Sequence, residues 1–180
     1  TRTKSSAASD VYKRQDRYRM LRERLNDLHG TGLICIESPE PVVRDTLLIA
    51  HEQDYVDRFL SGSLDTKEVR RIGLEPWTGA FLPRTMRIIG GAVEALAHVT
   101  RFGGIAANMA GGTHHSHRSF GSGYCVFNDL AICALLARDE YGYERIAVLD
   151  LDVHQGDGTA TILEGEEGII TISVHGEKNF

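Results

Sequence analysis

Apolar residues recur with the period of an α-helix in five segments of this chain. These segments are Asp16–His29, His51–Leu60, Arg84–Phe102, Phe127–Tyr141 and Asp157–Leu163. In the longest of them Met86, Ile89 and Val93 share one side, which is typical of a helix that packs one face on a core. Gly103-Gly104 follows this segment directly and predicts its end, because glycine is the usual residue just beyond a helix C-terminus.

Strand-like segments lie between the predicted helices. Arg145–Val153 and Gly168–Val174 are apolar and β-branched, and Ile105–Met109 is a shorter run of the same kind. Near-continuous apolar strands are typical of a parallel sheet that is covered on both faces. Since strands and helices alternate, the pattern predicts an α/β fold in which crossover connections place helices against a parallel sheet.

Two carboxylates and a histidine occupy the second half of the segment RIAVLDLDVHQGD. With the period-2 alternation of a strand, Asp150, Asp152 and His154 point to the same face. Burying two carboxylates on one face without partners is costly, so this face requires cations or hydrogen-bond donors. A metal ion at the carboxyl end of the strand would supply them, and ligands concentrate in that crevice of open α/β sheets.

Three histidines follow a pair of glycines in the segment GGTHHSH. Adjacent glycines permit a tight turn and a close backbone approach, so the imidazoles that follow can face the same crevice. The ordinary interpretation of such a cluster is a solvated polar loop, and we prefer it for His117. For His114 and His115 we predict a site, because Asp150 and Asp157 can orient their rings.

Four motifs occur in order along the chain. They are GGTHHSH (111–117), GSGYCVFND (121–129), LDLDVHQGDG (149–158) and TISVH (171–175). Together they resemble the zinc-dependent histone deacetylases of the arginase/deacetylase superfamily, and they are most similar to its bacterial and class IV-like branch. The resemblance implies a three-layer α/β fold, in which a parallel sheet is flanked by helices.

The resemblance also implies two cation sites. Asp152 and His154 match two of the three family zinc ligands, a set of oxygen and nitrogen donors that suits Zn²⁺, with Fe²⁺ as the alternative metal. Asp150, Asp152 and His154, with Ser173 and Val174, match a structural K⁺ site beneath the zinc. A bound cation would help to explain how several carboxylates share one buried face.

Four further matches concern the catalytic machinery. They are His114, His115, Asp150 and Asp157. The resemblance implies that His115 is the general base and acid, that His114 is its electrostatic partner, and that the two carboxylates bind the two rings. Gly123 matches the position whose carbonyl receives the N–H of the scissile amide, and Tyr124 matches one aromatic wall of the acyl-lysine tunnel.

The activity implied by this resemblance is metal-dependent hydrolysis of an amide bond. The enzyme would remove acetyl or other acyl groups from lysine-like amines, so an acylated lysine or polyamine-type compound is the expected partner. The formal net charge of -5 and the pI near 5.9 argue against general nucleic-acid binding, which needs a basic face. The apolar runs are far shorter than a membrane span, and we expect a cytoplasmic protein without membrane or nucleic-acid partners.

The ends of the chain lead to a prediction about its extent. Residues 1–15 lack an apolar period and are expected to be a non-native or disordered leader. Residues 16–180 are expected to form the amino-terminal part of a single deacetylase-like domain, incomplete at the carboxyl end. The family's third zinc ligand and its oxyanion-binding tyrosine have no match in the sequence, so we expect these residues alone to be inactive.

Two other functions are compatible with part of this pattern. A non-catalytic scaffold module could retain the fold and bind a cation, but the paired histidines argue for chemistry. An arginase-like ureohydrolase would require an aspartate two residues after the histidine of Asp-x-His, where this chain has Gly156 and places Asp157 one residue later. The tandem histidines and this offset favour the deacetylase interpretation.

Overall fold

A computed structural model describes residues 7–178, with side chains from Arg19 onward. Its seven helices are α1 (Ala7–Gly30), α2 (Arg44–Leu48), α3 (Gln53–Leu60), α4 (Thr66–Ile72), α5 (Phe81–Phe102), α6 (Asp129–Asp139) and α7 (Asp157–Leu163). Its strands are β1 (Ile146–Asp150) and β2 (Ile169–Ser173). The chain divides into two compact units, Thr1–Ser38 and Pro39–Phe180.

The first unit contains α1, which is longer than the helix predicted from Asp16. The helix begins at Ala7 and ends at Gly30, where the Thr31 hydroxyl donates to the carbonyl of Leu28. The predicted leader of residues 1–15 therefore overlaps the helix, and its first six residues lie outside the described part of the chain. That these residues are non-native stays a prediction.

Aromatic residues from two parts of the sequence form the centre of the second unit. Phe127 is fully buried, and its ring meets the rings of Tyr55 and Phe59 edge-on at centroid distances of 5.4 and 5.0 Å. Ile89 of α5 and Ile132 of α6 belong to the same buried cluster. Edge-to-face ring pairs add to the free energy of apolar burial, so this cluster is a firm support for the loops around it.

The sheet confirms the predicted parallel topology. Strands β1 and β2 pair in parallel, from Ile146 beside Ile169 to Asp150 beside Ser173, and α7 forms the crossover. Along β1, half-buried and exposed residues alternate, as expected for a strand with one covered face. Within the described residues the other face of the sheet is open, and Leu149 there is 59% exposed.

Ile105–Met109 forms a loop, so the prediction of a strand here is wrong. Ile105 is 96% exposed, and within the described residues the only paired strands are β1 and β2. The Asn108 side chain accepts from the backbone N–H of Ala110 and donates to the carbonyl of Ile88. An asparagine that bonds the backbone two residues on favours a turn over an extended strand.

Among the described helices, none is long and apolar enough to cross a lipid bilayer.

Candidate active site

A buried carboxylate shapes the glycine loop before the histidines. Asp129 is 2% exposed and accepts hydrogen bonds from the backbone of Gly112 at 2.9 Å and of Thr113 at 2.8 Å. The Thr113 hydroxyl donates to it as well, at 2.7 Å. A Cβ on Gly111 would lie 2.3 Å from the Asp129 carboxylate, so this position requires glycine. The first residue of α6 therefore fixes the path of the loop.

A second set of buried groups forms hydrogen bonds with the backbone of the histidine segment, residues 114–117. Asn128 donates from its side chain to the carbonyl of Ser116 at 3.0 Å, and it caps α6 by accepting from Ala131. His51 bridges the two regions, because its Nδ1–H donates to the carbonyl of His117 at 2.9 Å and its Nε2 accepts from the backbone of Asn128 at 2.9 Å. Burial lowers the pKa of His51 to about 4, so its ring is neutral near pH 7.

The sequence analysis does not predict a role in the site for His51, Asn128 or Asp129. Their partners lie far away along the chain, as in the bond between residues 51 and 128. Asn128 alone carried a local signal, since asparagine before an apolar helix is a typical N-cap. That signal predicts the helix start but not the contact with Ser116.

Two imidazole–carboxylate pairs lie side by side in this segment. His114 donates from Nδ1 to Asp150 at 2.6 Å, and His115 donates from Nδ1 to Asp157 at 2.7 Å. The two rings are 4.1 Å apart between centroids. Since Nδ1 carries the hydrogen in both rings, the Nε2 atom of each neutral ring is left as an acceptor. The structure thus brings together the four residues that the sequence placed in the catalytic machinery.

The Asp157 carboxylate titrates below its usual range. Burial raises its pKa, but the hydrogen bonds from His115 and from the backbone of Gly158 lower it by more. The side chain is 40% exposed and remains ionised near neutral pH. An ionised acceptor holds the Nδ1–H tautomer of His115 and leaves Nε2 of the ring as the acceptor.

Asp152 and His154 lie beyond the strand, although the sequence placed them on it. β1 ends at Asp150, whose carboxylate accepts from the backbone of Asp152 at 3.0 Å. Asp152 in turn accepts from the backbone of His154 at 2.8 Å and lies 2.9 Å from its Nδ1. Aspartates that bond the backbone two residues on end a strand in consecutive turns. Both side chains are about half exposed, so they face an open region near His114.

The donor atoms of Asp152 and His154 fit part of a zinc site. A carboxylate oxygen and an imidazole nitrogen are both zinc donors, and the Asp152 oxygen lies 3.9 Å from Nε2 of His114. The backbone of His154 lowers the pKa of Asp152, which keeps the carboxylate ionised. Among the side chains that the structure describes, from Arg19 to Lys178, no group of three or more histidine, cysteine or acidic residues is arranged to hold a metal ion. These two residues are therefore a partial ligand set.

Three of the five residues predicted for potassium, Asp150, Ser173 and Val174, meet at the ends of the two strands. Ser173 pairs with Asp150 in the sheet register, and its hydroxyl accepts from the backbone of Gly156 at 3.2 Å. The backbone of Val174 donates to the carbonyl of Asp150 at 2.9 Å. A Cβ on Gly156 would lie 2.2 Å from the Asp150 carboxylate, so no side chain fits at that position.

Gly123 and Tyr124 form a tight turn against the second histidine. Both residues have positive φ, 52° and 67°, and the backbone of Tyr124 donates to the carbonyl of Ile72 at 2.7 Å. A Cβ on Gly123 would lie 2.6 Å from the ring of His115, so glycine permits this close approach. The Tyr124 side chain is 57% exposed, and its ring lies against Gly73, where an added Cβ would be 3.4 Å from it.

His117 is not a solvated loop residue, so that prediction is wrong. Its ring stacks on Phe120 with centroids 4.4 Å apart, and its side chain is 19% exposed. Nδ1 lies 2.8 Å from the Thr161 hydroxyl, and Nε2 lies 3.4 Å from Oδ2 of Asp157, the oxygen that does not bond His115. No local pattern around His117 predicts these two contacts, because both partners, Asp157 and Thr161, belong to α7.

Comparison with known proteins agrees with this geometry. The family model described as the histone deacetylase domain matches residues 11–180. The chain belongs to the histone deacetylase family. An uncharacterized protein of Picosynechococcus sp. is 42% identical over 160 residues, which are 85% of this chain and 53% of that protein. The acetoin utilization protein AcuC of Staphylococcus aureus is 31% identical over 77% of this chain and 39% of its own length.

Two further members extend the comparison to substrate and structure. The polyamine deacetylase HDAC10 of Rattus norvegicus is 32% identical over 73% of this chain and 24% of its own length. The crystal structure of a histone deacetylase homolog from Aquifex aeolicus superimposes with a TM-score of 0.70 at 25% identity, covering 82% of this chain and 42% of that one. The chain thus has the α/β fold of this family and spans about half the length of the first curated relative.

Proposed function

We propose that the protein carrying this sequence hydrolyses the amide bond of acylated lysine or polyamine-type amines. The observation that carries the proposal is the pair of imidazole–carboxylate contacts, His114 with Asp150 and His115 with Asp157, set 4.1 Å apart. The family supports the same activity, since one relative is named a polyamine deacetylase. General acid–base chemistry needs a histidine whose second nitrogen can accept a proton, and His115, which bonds Asp157 through Nδ1, meets that condition.

His115 is the proposed general base and acid. Its Nδ1–H is held by Asp157, so Nε2 can remove a proton from the attacking water and return it to the leaving amine. Asp157 stabilises the imidazolium that forms in between, because it remains ionised and accepts the hydrogen bond throughout. His114 acts through charge and orientation, since its partner Asp150 is almost fully buried.

A zinc ion, with iron(II) as the alternative, would be held by Asp152 and His154 together with a further ligand. When bound, it would polarise the amide carbonyl and lower the pKa of water to near neutrality. A potassium ion held by Asp150, Asp152, His154, Ser173 and Val174 is a second proposal. Its support is that Asp150, Ser173 and Val174 meet at the strand ends. The carbonyl of Gly123 is proposed to accept the N–H of the scissile amide, and Tyr124 is proposed to line one wall of the tunnel for the acyl chain.

The arginase-like alternative has less support. That chemistry would need an acidic ligand at position 156, and the close approach of Gly156 to the Asp150 carboxylate leaves no room for a side chain. A scaffold without activity would not need two oriented imidazole pairs. The deacylase proposal accounts for both features.

The proposal is tested on protein expressed from the complete reading frame that carries these residues. A panel of acetyl-lysine and longer acyl-lysine peptides, acetylpolyamines and guanidino compounds would identify the substrate class. We expect His115→Ala to lower kcat by about a thousandfold, consistent with the loss of a general base, and His114→Ala to leave a measurable remainder.

His98→Ala is the matched control, because His98 is an exposed histidine of α5. It should leave the rate unchanged. Equal, mild losses in the His115 and His98 variants would contradict the assigned mechanism. Hydrolysis of guanidino compounds in place of amides would contradict the substrate class.

A further inference from the structure

Asp157 has one carboxylate oxygen whose role the proposed mechanism leaves open. Oδ1 accepts from His115 at 2.7 Å and from the backbone of Gly158 at 2.9 Å. Oδ2 lies 3.4 Å from Nε2 of His117. At 40% exposure, water competes for this oxygen, and a carboxylate on a short side chain can rotate when only one oxygen is held. The orientation of His115 therefore depends on what occupies Oδ2.

The ring of His117 is fixed on every side that the structure describes. It stacks on Phe120, whose other contact is the guanidinium of Arg71, 4.5 Å from the ring centroid. Its Nδ1 lies 2.8 Å from the Thr161 hydroxyl. Its backbone carbonyl accepts from the buried His51, and its backbone N–H donates to the carbonyl of Phe120. A solvated histidine would need none of these contacts.

The hydrogen-bond partners of the His117 ring indicate which of its two nitrogens carries a hydrogen. The Thr161 hydroxyl can donate to the carbonyl of Gly158 at 3.0 Å, in which case it accepts from Nδ1–H of His117. A neutral ring would then direct the Nε2 lone pair at a carboxylate, which is unfavourable. Alternatively, the hydroxyl donates to Nδ1 and Nε2 carries the single hydrogen. The second arrangement is the favourable one for a neutral ring, and it places the hydrogen on Nε2, which lies 3.4 Å from Oδ2 of Asp157.

We propose that His117 is a positioning residue for the pair His115–Asp157. It holds the second oxygen of Asp157, and it thereby keeps the carboxylate in the orientation that His115 requires. The contact does not depend on activity, but its catalytic consequence rests on the proposed deacylase function.

Three variants separate the roles of the ring. His117→Phe keeps an aromatic ring for stacking on Phe120 and removes both nitrogens. His117→Gln places an amide N–H where Nε2 was, so it should restore most of the contact. His98→Phe is the matched control, because His98 lies against Phe102 on the exposed side of α5 with ring centroids 5.0 Å apart.

The first measurement follows the Nδ1–H of His115 by NMR, on histidine-labelled protein from the complete reading frame. His117→Phe should increase the exchange of this hydrogen with water about threefold to tenfold, the range expected for losing one ionic contact at a half-buried site. His117→Gln should return the rate to within about twofold of the original, and His98→Phe should not change it. An unchanged exchange rate in His117→Phe would overturn the inference.

The second measurement compares acyl-lysine hydrolysis by the same proteins. His117→Phe should lower kcat about threefold to tenfold and leave KM unchanged, because the residue contacts the base and not the substrate. An inactive parent protein would refute the proposed function, while the exchange rates would still decide the role of His117. If His117→Phe does not fold, Thr161→Val replaces it, since it releases Nδ1 of the ring; no faster exchange in that variant would overturn the inference.

Discussion

His51 is a buried imidazole that is neutral in the folded chain. It donates to His117 and accepts from Asn128, so both ring nitrogens have partners only in the neutral form. Protonation would replace the acceptor at Nε2 with a second N–H facing the backbone donor of Asn128. The ring therefore joins the histidine segment to the start of α6 only while it is uncharged.

This arrangement predicts a loss of stability in acid. Burial lowers the pKa of His51 from 6.5 to about 4, so the unfolded chain binds a proton at higher pH than the folded chain does. The contribution is complete above pH 6.5 and is lost as pH falls from there towards 4, by about 3 kcal/mol in total.

Urea unfolding at a series of pH values measures the effect. The non-titrating variant His51→Gln should lack this part of the pH dependence, although it should be less stable at neutral pH. The same slope in both proteins between pH 6.5 and 4 would show that His51 does not titrate in this range.

At the scale of elements, the start of α6 organises the site. Its N-cap Asn128 and its first residue Asp129 together bind the loop that carries Gly112, Thr113 and Ser116. A helix N-terminus favours a carboxylate, and three hydrogen bonds compensate the burial of this one. The helix and the loop should consequently unfold as one unit.

Asp129→Asn tests this unit. An amide directs one NH₂ group towards the backbone donors of Gly112 and Thr113, so at least one buried hydrogen bond is lost at a cost of about 1–3 kcal/mol. Asp139→Asn, an exposed change at the other end of α6, should alter the free energy of unfolding by no more than about 0.5 kcal/mol. Urea denaturation of both variants gives the comparison, and equal effects would contradict the role of Asp129.

Local patterns predicted elements well where the signal lies within the element. α7 has the predicted bounds Asp157–Leu163, and the crossover and parallel strands follow from the alternation of periods. α4 was missed, although Asp65 and Glu68 form a capping box that a sequence can show. The prediction of a strand at Ile105–Met109 is wrong, because an apolar run forms a strand only when a neighbouring strand takes its backbone hydrogen bonds.

The site was predictable only in part for the same reason. The carboxylates near His114 and His115 lie close to one another in sequence and follow one strand, so their meeting could be foreseen. His51, Asp129 and the environment of His117 depend on tertiary contacts that no local pattern encodes.

At the scale of the whole molecule, one face of the sheet carries exposed apolar side chains. The parallel register places Leu149 beside Ile172 and Ala147 beside Ile170, so these residues share one face. Leu149, Ile170 and Ile172 are 59%, 58% and 46% exposed. Contiguous apolar surface of this kind is typical of a contact site or of a surface prone to association.

We expect the 180-residue chain expressed alone to self-associate through this face and to bind hydrophobic dyes. Leu149→Lys combined with Ile172→Lys should reduce both effects, because two adjacent charges of like sign oppose the packing of one copy on another. Ile105→Lys is the matched control. Ile105 is 96% exposed on a loop, so this substitution also replaces an exposed apolar side chain by lysine, but outside the sheet. Sedimentation velocity across a concentration series measures the association. If the double variant and the Ile105 variant associate as strongly as the original chain, the sheet face is not the surface responsible.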